Sequence, residues 1–224
     1  MRTYIDEEAL MKLIQRQGYL DFLRRNRNRP IVKVVSGIRR CGKSTLFRLF
    51  KDELLSEGVK PEQIISINFE ELEYEHLRDY HALYQYILER MQPDEMNYIF
   101  LDEIQHVDQF HRVVDSLFVK ENTDLYITGS NAYFMSSDIA TLLTGRYVEI
   151  QMLPLSFSEF YYSKYDGNQY SLIPAYESYL RESSFPYTQQ LGGEDFDIQE
   201  YLRGLYNTLL LHDVVARLKI SDVT

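Results

Sequence analysis

One cysteine, Cys41, stands alone in 224 residues. That excludes a disulfide framework within the chain and fits a reducing compartment. No apolar run approaches the roughly 18 to 20 residues needed to cross a bilayer. Met1 to Ala9 carries three acids and one base without a hydrophobic stretch, so it does not read as a signal peptide. The expected location is the cytoplasm. The five histidines show no metal-ligand spacing, and beside a single cysteine a structural zinc site is not expected. Internal repeats and low-complexity tracts are lacking as well.

What is present suits a globular protein. Hydrophobic residues make up 45% of the chain, enough for one large core with a smaller neighbour. The net charge of −10 is unevenly spread. Residues 1–48 hold 12 Lys/Arg against 4 Asp/Glu, a balance of +8, which leaves −18 for the remainder. A basic first quarter attracts a polyanion, for which a nucleoside triphosphate suffices, while the acidic remainder argues against wrapping along a duplex.

Apolar periodicity predicts helices over about Asp6 to Gln17 and Tyr19 to Asn28. The run Arg24-Arg25-Asn26-Arg27-Asn28-Arg29 before Pro30 reads as a frayed helix end in a solvated turn, with a patch facing nucleotide or nucleic acid as the alternative. Short β-branched runs then alternate with helices. Strands are expected at Ile31–Val35, Ile64–Phe69, Tyr98–Leu101, Leu125–Thr128 and Tyr147–Met152. Helices are expected at Gly42–Ser56, His76–Met91, Phe110–Lys120 and Ala132–Thr144. This alternation means βαβ units and a mainly parallel five-stranded sheet sandwiched by helices, an α/β fold. After Pro154 the strand pattern stops. Phe157–Tyr165, Ala175–Arg181 and Ile198–Leu218 read as helices, with a loop over Ser183–Asp197. The predicted organisation is an α/β domain over 1–152, including N-terminal helices over 1–29, and a small helical subdomain over 153–224.

The stretch Gly37-Ile38-Arg39-Arg40-Cys41-Gly42-Lys43-Ser44 matches G-x-x-x-x-G-K-[ST] and lies between a predicted buried strand and a helix. In such a P-loop the glycines let backbone N–H groups turn inward around phosphates, and the helix presents its positive end to them. The expected binding segment runs from Gly37 to Thr45, with Lys43 on the β- and γ-phosphates and Ser44 on Mg²⁺. Tyr98-Ile99-Phe100-Leu101-Asp102-Glu103 is an apolar strand ending in two carboxylates. Asp102 is expected to fix Mg²⁺, and Glu103 to activate the attacking water. Thr128-Gly129-Ser130-Asn131 ends the fourth strand, where an open α/β sheet faces its ligand, so Asn131 or Ser130 is a candidate sensor of the γ-phosphate. Glu70-Glu71, at the end of the second strand, reads as solvated charge, with an approach to the site as the alternative. Cys41, beside a helix N-terminus, is expected to be a reactive thiol.

In this order, these features resemble AAA-type ATPases of the additional-strand, catalytic-glutamate class. More narrowly, several strings look like prokaryotic AAA-like ATP-binding proteins with an uncharacterised C-terminal domain. They are Gly37-x-Arg39-Arg40-x-Gly42-Lys43-Ser44-Thr45, Leu101-Asp102-Glu103-Ile104-Gln105, Thr128-Gly129-Ser130-Asn131, Thr144-Gly145-Arg146, Leu153-Pro154-Leu155-Ser156-Phe157-Ser158-Glu159-Phe160, and Leu210 to Arg217. The resemblance implies ATP and Mg²⁺ as ligands, ATP hydrolysis as the activity, and a lid-like role for the helical subdomain. It also implies that Arg146, just before the fifth strand, lies at a subunit edge as an arginine finger in a homo-oligomer. In that family the chain normally continues past the point where this one stops, so a fragment is expected. No sensor-2 arginine motif is recognisable, and Arg203 and Arg217 are the candidates for that role.

Competing classes are weaker. An ABC signature precedes its Walker B strand, whereas Leu191-Gly192-Gly193-Glu194 follows it and is imperfect. A GTPase needs a guanine-reading Asn-Lys-x-Asp, which Thr128-Gly129-Ser130-Asn131 is not. Glu103 beside Asp102 favours water over a kinase's acceptor. The alternative from a different class is a slow nucleotide-gated switch acting through an effector region beyond this sequence. Neither a biological process nor a protein or nucleic-acid target can be read from the residues.

Overall fold

A computed structural model describes residues 14, 16–130, 143, 145–165, 170–191 and 195–209. The described residues form two compact units. One comprises Arg16–Ile38 and Gly42–Met152, and the other Arg39–Cys41 and the residues from Leu153 onward.

The first unit is a five-stranded sheet. Its strands are β1 (Val32–Gly37), β2 (Ile64–Asn68), β3 (Asn97–Asp102), β4 (Thr123–Ser130) and β5 (Tyr147–Met152), in the order β2-β3-β4-β1-β5. Every pairing is parallel. β1 and β3 are buried along their whole length, which is why they read as continuous apolar runs rather than alternating ones. Helices cover both faces. On one face α3 (Tyr80–Arg90) and α4 (Phe110–Phe118) place Leu83, Ile87, Val113, Val114 and Leu117 against Ile99, Leu101, Leu125 and Ile127. On the other, α2 (Lys43–Ser56) packs aromatic side chains on the sheet. Phe100 and Tyr126 stack across the β3–β4 ladder at 4.7 Å and 12°, and Phe47 and Phe50 meet the Phe100 ring at 5.2 and 6.3 Å. Each such pair contributes about 0.5–1.5 kcal/mol beyond the area it buries.

α1 (Gln17–Asn26) is tied to α2 by Arg24, whose Nε donates to Glu53 at 2.6 Å. The basic run after it serves the fold. Arg27 pairs with Glu57 and donates to Tyr98 Oη at 3.3 Å, while the Arg29 carbonyl accepts from buried Lys33 at 2.9 Å. Lys33 also pairs with buried Asp124, which accepts from Tyr126 Oη at 2.7 Å and from the Asn28 backbone N–H at 2.8 Å. Burial lowers the Lys33 pKa, with the Asp124 carboxylate opposing the shift. These residues precede β1, whereas Gly37 ends it. A strand of six residues spans about 20 Å, so the alternative of a patch facing the P-loop nucleotide is corrected to a structural one.

One further boundary differs from expectation. The helix expected over His76–Met91 is a 3₁₀ segment, Leu72–Arg78, followed by α3, whose N-cap Asp79 accepts from the Ala82 N–H at 2.9 Å. The helix expected over Ala132–Thr144 lies almost wholly outside the described residues, as does most of Asp6–Gln17.

The second unit contains α5 (Phe157–Tyr165), α6 (Leu172–Glu182) and α7 (Asp195–Leu209). Ser156 and Glu159 form a capping box at the start of α5: the Ser156 N–H donates to the Glu159 carboxylate at 2.8 Å, and the Glu159 N–H donates back at 3.2 Å. Phe160 is the buried anchor, with the Tyr179 ring edge-on at 5.3 Å. Where a plain loop is expected over Ser183–Asp197, a 3₁₀ turn forms at Pro186–Gln189 and α7 already begins at Asp195. Ile198 onward is helical as far as Leu209, and the rest of that expected helix is outside the described residues.

Candidate nucleotide site

The carboxyl ends of β1, β3 and β4 lie side by side. Gly37 pairs with Ser130 across β1 and β4, and Leu101 with Ile127 across β3 and β4. The loop from Gly37 reaches α2 through Gly42, whose φ of 105° is open to glycine and strained for other residues. α2 thus starts at Lys43, and the N–H groups of its first turn, which have no partner within the helix, suit an anion.

Lys43 is buried, which for an ammonium requires partners. Its Nζ donates to the Gly37 carbonyl at 3.1 Å and to the Ile38 carbonyl at 3.4 Å, and pairs with Glu103 Oε1 at 3.1 Å. Asp102 ends β3 and is also buried. Its carboxylate accepts from the Thr128 hydroxyl and from Ser44. Burial pushes the Asp102 pKa up; the Ser44 and Thr128 hydrogen bonds oppose this, the Glu103 charge adds to it, and Lys43 counters it.

Glu103 takes a left-handed backbone conformation, φ 54° and ψ 49°. For a residue with a Cβ this costs on the order of 1–3 kcal/mol. Its N–H donates to Thr128 Oγ1 at 2.9 Å, and its carboxylate accepts from Gln105 Nε2. Thr128 therefore holds the Asp102 side chain and the Glu103 backbone together. Sequence reasoning missed the roles of Thr128 and Gln105. The signal for Thr128 is the β3–β4 register, which sets it beside Asp102.

The remaining candidates fall in three places. Ile38 and Thr45 lie in the sheet unit, Thr45 in the first turn of α2. Arg39, Arg40 and Cys41 group with the helical unit, and Arg40 carries a left-handed φ of 66°. The Arg40 charge opposes the upward shift that burial imposes on the Tyr201 phenol of α7. Cys41 is fully buried. The expectation of a reactive thiol is corrected, because a sulfur without solvent access reacts slowly whatever the local field. Asn131 and Arg217 lie outside the described residues, and Arg203 is exposed on α7. Glu70 and Glu71 are exposed, as expected.

Arg146 is not near this constellation. Its carbonyl accepts from the Val32 N–H at 2.8 Å, which sets it at the amino end of β1 and β5. Its guanidinium is half-exposed, pairs with Asp115 at 2.7 Å and lies over the Phe118 ring at 5.7 Å. The length of a strand separates it from the P-loop of its own chain.

The oxygens of Ser44 and Asp102 suit Mg²⁺, a hard cation that takes few protein ligands and completes its shell with water and phosphate. Among the described residues there is no group of three or more His, Cys, Asp or Glu that could hold a metal unaided. The site fits a cation arriving with a phosphate ligand. Two adjacent buried carboxylates facing one ammonium are electrostatically prepared for it.

The family model for an AAA domain matches residues 29–161. An uncharacterised protein of Haemophilus influenzae is 38% identical over 213 residues, covering 94% of this chain and 52% of that protein. An uncharacterised protein of Methanocaldococcus jannaschii is 30% identical over 208 residues, covering 86% and 44%. The chain thus spans about half the length of the curated relatives it matches. Among solved structures, the Walker-type ATPase of Pyrococcus abyssi superimposes with a TM-score of 0.62 at 15% identity, covering 93% of this chain and 76% of that one, a likeness of fold. With a parallel sheet, a P-loop and a family match over more than half its length, this chain belongs to the AAA domain family.

Proposed function

We propose that this chain binds ATP with Mg²⁺ along Gly37–Thr45 and hydrolyses it. The observation that carries the proposal is the convergence of buried Lys43, at the start of α2 after β1, with Asp102 and Glu103, at the carboxyl end of β3, with Lys43 and Glu103 3.1 Å apart. Lys43 exchanges its carbonyl and carboxylate partners for the β- and γ-phosphate oxygens. Ser44 and Asp102 hold Mg²⁺, which when bound offsets charge on the phosphate oxygens. Glu103, released from Lys43, accepts a proton from water. The water oxygen bonds to the γ-phosphorus, the bond to the bridging oxygen breaks, and its electron pair leaves with ADP.

Asn131, which follows β4 in sequence, is a γ-phosphate sensor. By resemblance, the helical unit over 153–224 acts as a lid, and Arg146 serves a neighbouring copy rather than its own site. The position of Arg146 at the far end of β1 favours the neighbour. A cytoplasmic location rests on the single cysteine; no helix among the described residues is long and apolar enough to cross a membrane.

The test is titration calorimetry with ATP–Mg²⁺ on wild type and Lys43→Ala. Loss of tight binding in Lys43→Ala is expected, since removal strips the buried cation from the phosphate path. Equal affinity contradicts the site. A second reading, a slow nucleotide-gated switch, is favoured by the Lys43–Glu103 pair, which engages the base when Lys43 is not on phosphate. Steady-state phosphate release compared with retained ADP separates the two.

A further inference from the structure

We infer that Gln105 is a positioning residue for Glu103, holding one carboxylate oxygen so that the other faces the attacking water. This rests on the reading of Glu103 as the base. The left-handed backbone of Glu103 opens a single 3₁₀ turn, Ile104–His106, in which the His106 N–H returns to the Glu103 carbonyl at 3.2 Å. That tight turn brings the side chain of Gln105 back onto that of Glu103, and Gln105 Nε2 donates to Oε2. Oε1 is the oxygen 3.1 Å from Lys43 Nζ. The two oxygens thus have different partners with different fates. Lys43 belongs to the phosphates once nucleotide is bound, whereas Gln105 has no such competing duty. Its amide orientation follows from charge: a carbonyl oxygen turned toward the carboxylate would be repelled, so the NH₂ must face it. The carbonyl Oε1 of Gln105 is buried with no hydrogen-bond partner in the structure. A polar atom buried in this way opposes folding, which argues that the side chain is kept for its other end.

The strain at Glu103 gives the arrangement its purpose. An αL residue at a strand end points its side chain away from the strand path, and Thr128 fixes the backbone through the Glu103 N–H. The carboxylate still rotates about its own χ angles, and the Gln105 hydrogen bond removes that freedom. A base held in one orientation reacts faster at equal substrate affinity, so the effect falls on kcat rather than on binding.

The experiment compares wild type, Gln105→Met, Glu103→Gln and the double variant in the full chain. It measures phosphate release, KM, ATP affinity by calorimetry, and thermal unfolding. Methionine matches glutamine in length and lacks the donor. Gln105→Met should lose on the order of tenfold to a hundredfold in kcat, with KM and ATP affinity within about twofold. Adding Gln105→Met to Glu103→Gln should lower turnover by less than about twofold, because the residue acts only through Glu103. Wild-type kcat in Gln105→Met, beside an impaired Glu103→Gln, overturns the positioning role and leaves the base intact. A full additive loss in the double variant also overturns it. Wild-type turnover in Glu103→Gln removes the base, and the inference falls with it. Should Gln105→Met fail to fold, Gln105→Glu keeps the shape, removes the donor and must be slower still; unimpaired turnover there overturns the inference equally.

Discussion

At the scale of single residues, the site gathers three buried charges, Lys43, Asp102 and Glu103. Burial holds the Asp102 pKa above its ordinary value despite two hydrogen bonds. A carboxyl whose folded pKa is raised adds stability at pH below its unfolded value and loses it as pH rises through the folded one. Ionising Asp102 therefore costs the nucleotide-free fold stability. Asp102→Asn should raise the unfolding temperature of that form at pH 7 and abolish the extra stabilisation that ATP–Mg²⁺ gives the wild type. Calorimetric scans with and without ligand check both signs; a lower melting temperature in the free variant contradicts the account. Thr128→Val tests the bridge between Asp102 and Glu103. It leaves the Glu103 N–H and the Asp102 carboxylate without their partner, so stability should fall by about 1–3 kcal/mol in denaturant titration, with turnover falling as well. A variant as stable and as active as wild type contradicts the bridging role.

The elements differ in how visible they were beforehand. β1 and β3 were legible because parallel, buried strands are written as contiguous apolar runs, whereas β5, a partly exposed edge strand, was legible by its alternation and runs from Tyr147 to Met152 as expected. The P-loop was legible for the same reason: its chemistry is local, nine consecutive residues between a strand and a helix. α3 was overrun at its start because Leu77 keeps helical spacing with the residues after it, while the Asp79 cap that begins the helix is a local hydrogen bond. Thr128 and Gln105 escaped because their roles are non-local or conformational. One depends on which residue of β4 faces Asp102, the other on a positive φ at Glu103. The aromatic stack under α2 also depends on register, since Phe100 and Tyr126 are 26 positions apart yet directly paired. Phe100→Ala should cost about 3–5 kcal/mol, equivalent to a melting temperature roughly 6–20 °C lower at this size. A shift under 2 °C would show that α2 is anchored elsewhere.

For the whole molecule, the question is what one chain supplies to another. Arg146 sits at the amino edge of the sheet, half-exposed and paired with half-buried Asp115. Surface pairs of this kind are worth about 0–1 kcal/mol, weak enough to exchange for a neighbour's phosphate. If Arg146 acts in trans, Arg146→Ala and Lys43→Ala are each inactive alone, and mixing them restores part of the turnover, because some intact P-loops then face an intact arginine. No recovery in a confirmed mixed assembly contradicts the trans role. In the basic run at the end of α1, two of the charges that suggest a ligand in sequence serve the fold instead: Arg24 is held by Glu53, and Arg27 by Glu57 and Tyr98.

The most direct measurement is chemical analysis of the nucleotide bound to Glu103→Gln after incubation with ATP and Mg²⁺, beside the wild type. A carboxylate that serves as base is removed while shape and hydrogen bonding remain. The variant should hold intact ATP at wild-type affinity, while the wild type converts it to ADP and phosphate. ADP formed at the wild-type rate by Glu103→Gln, or no nucleotide bound to either protein, would contradict the account.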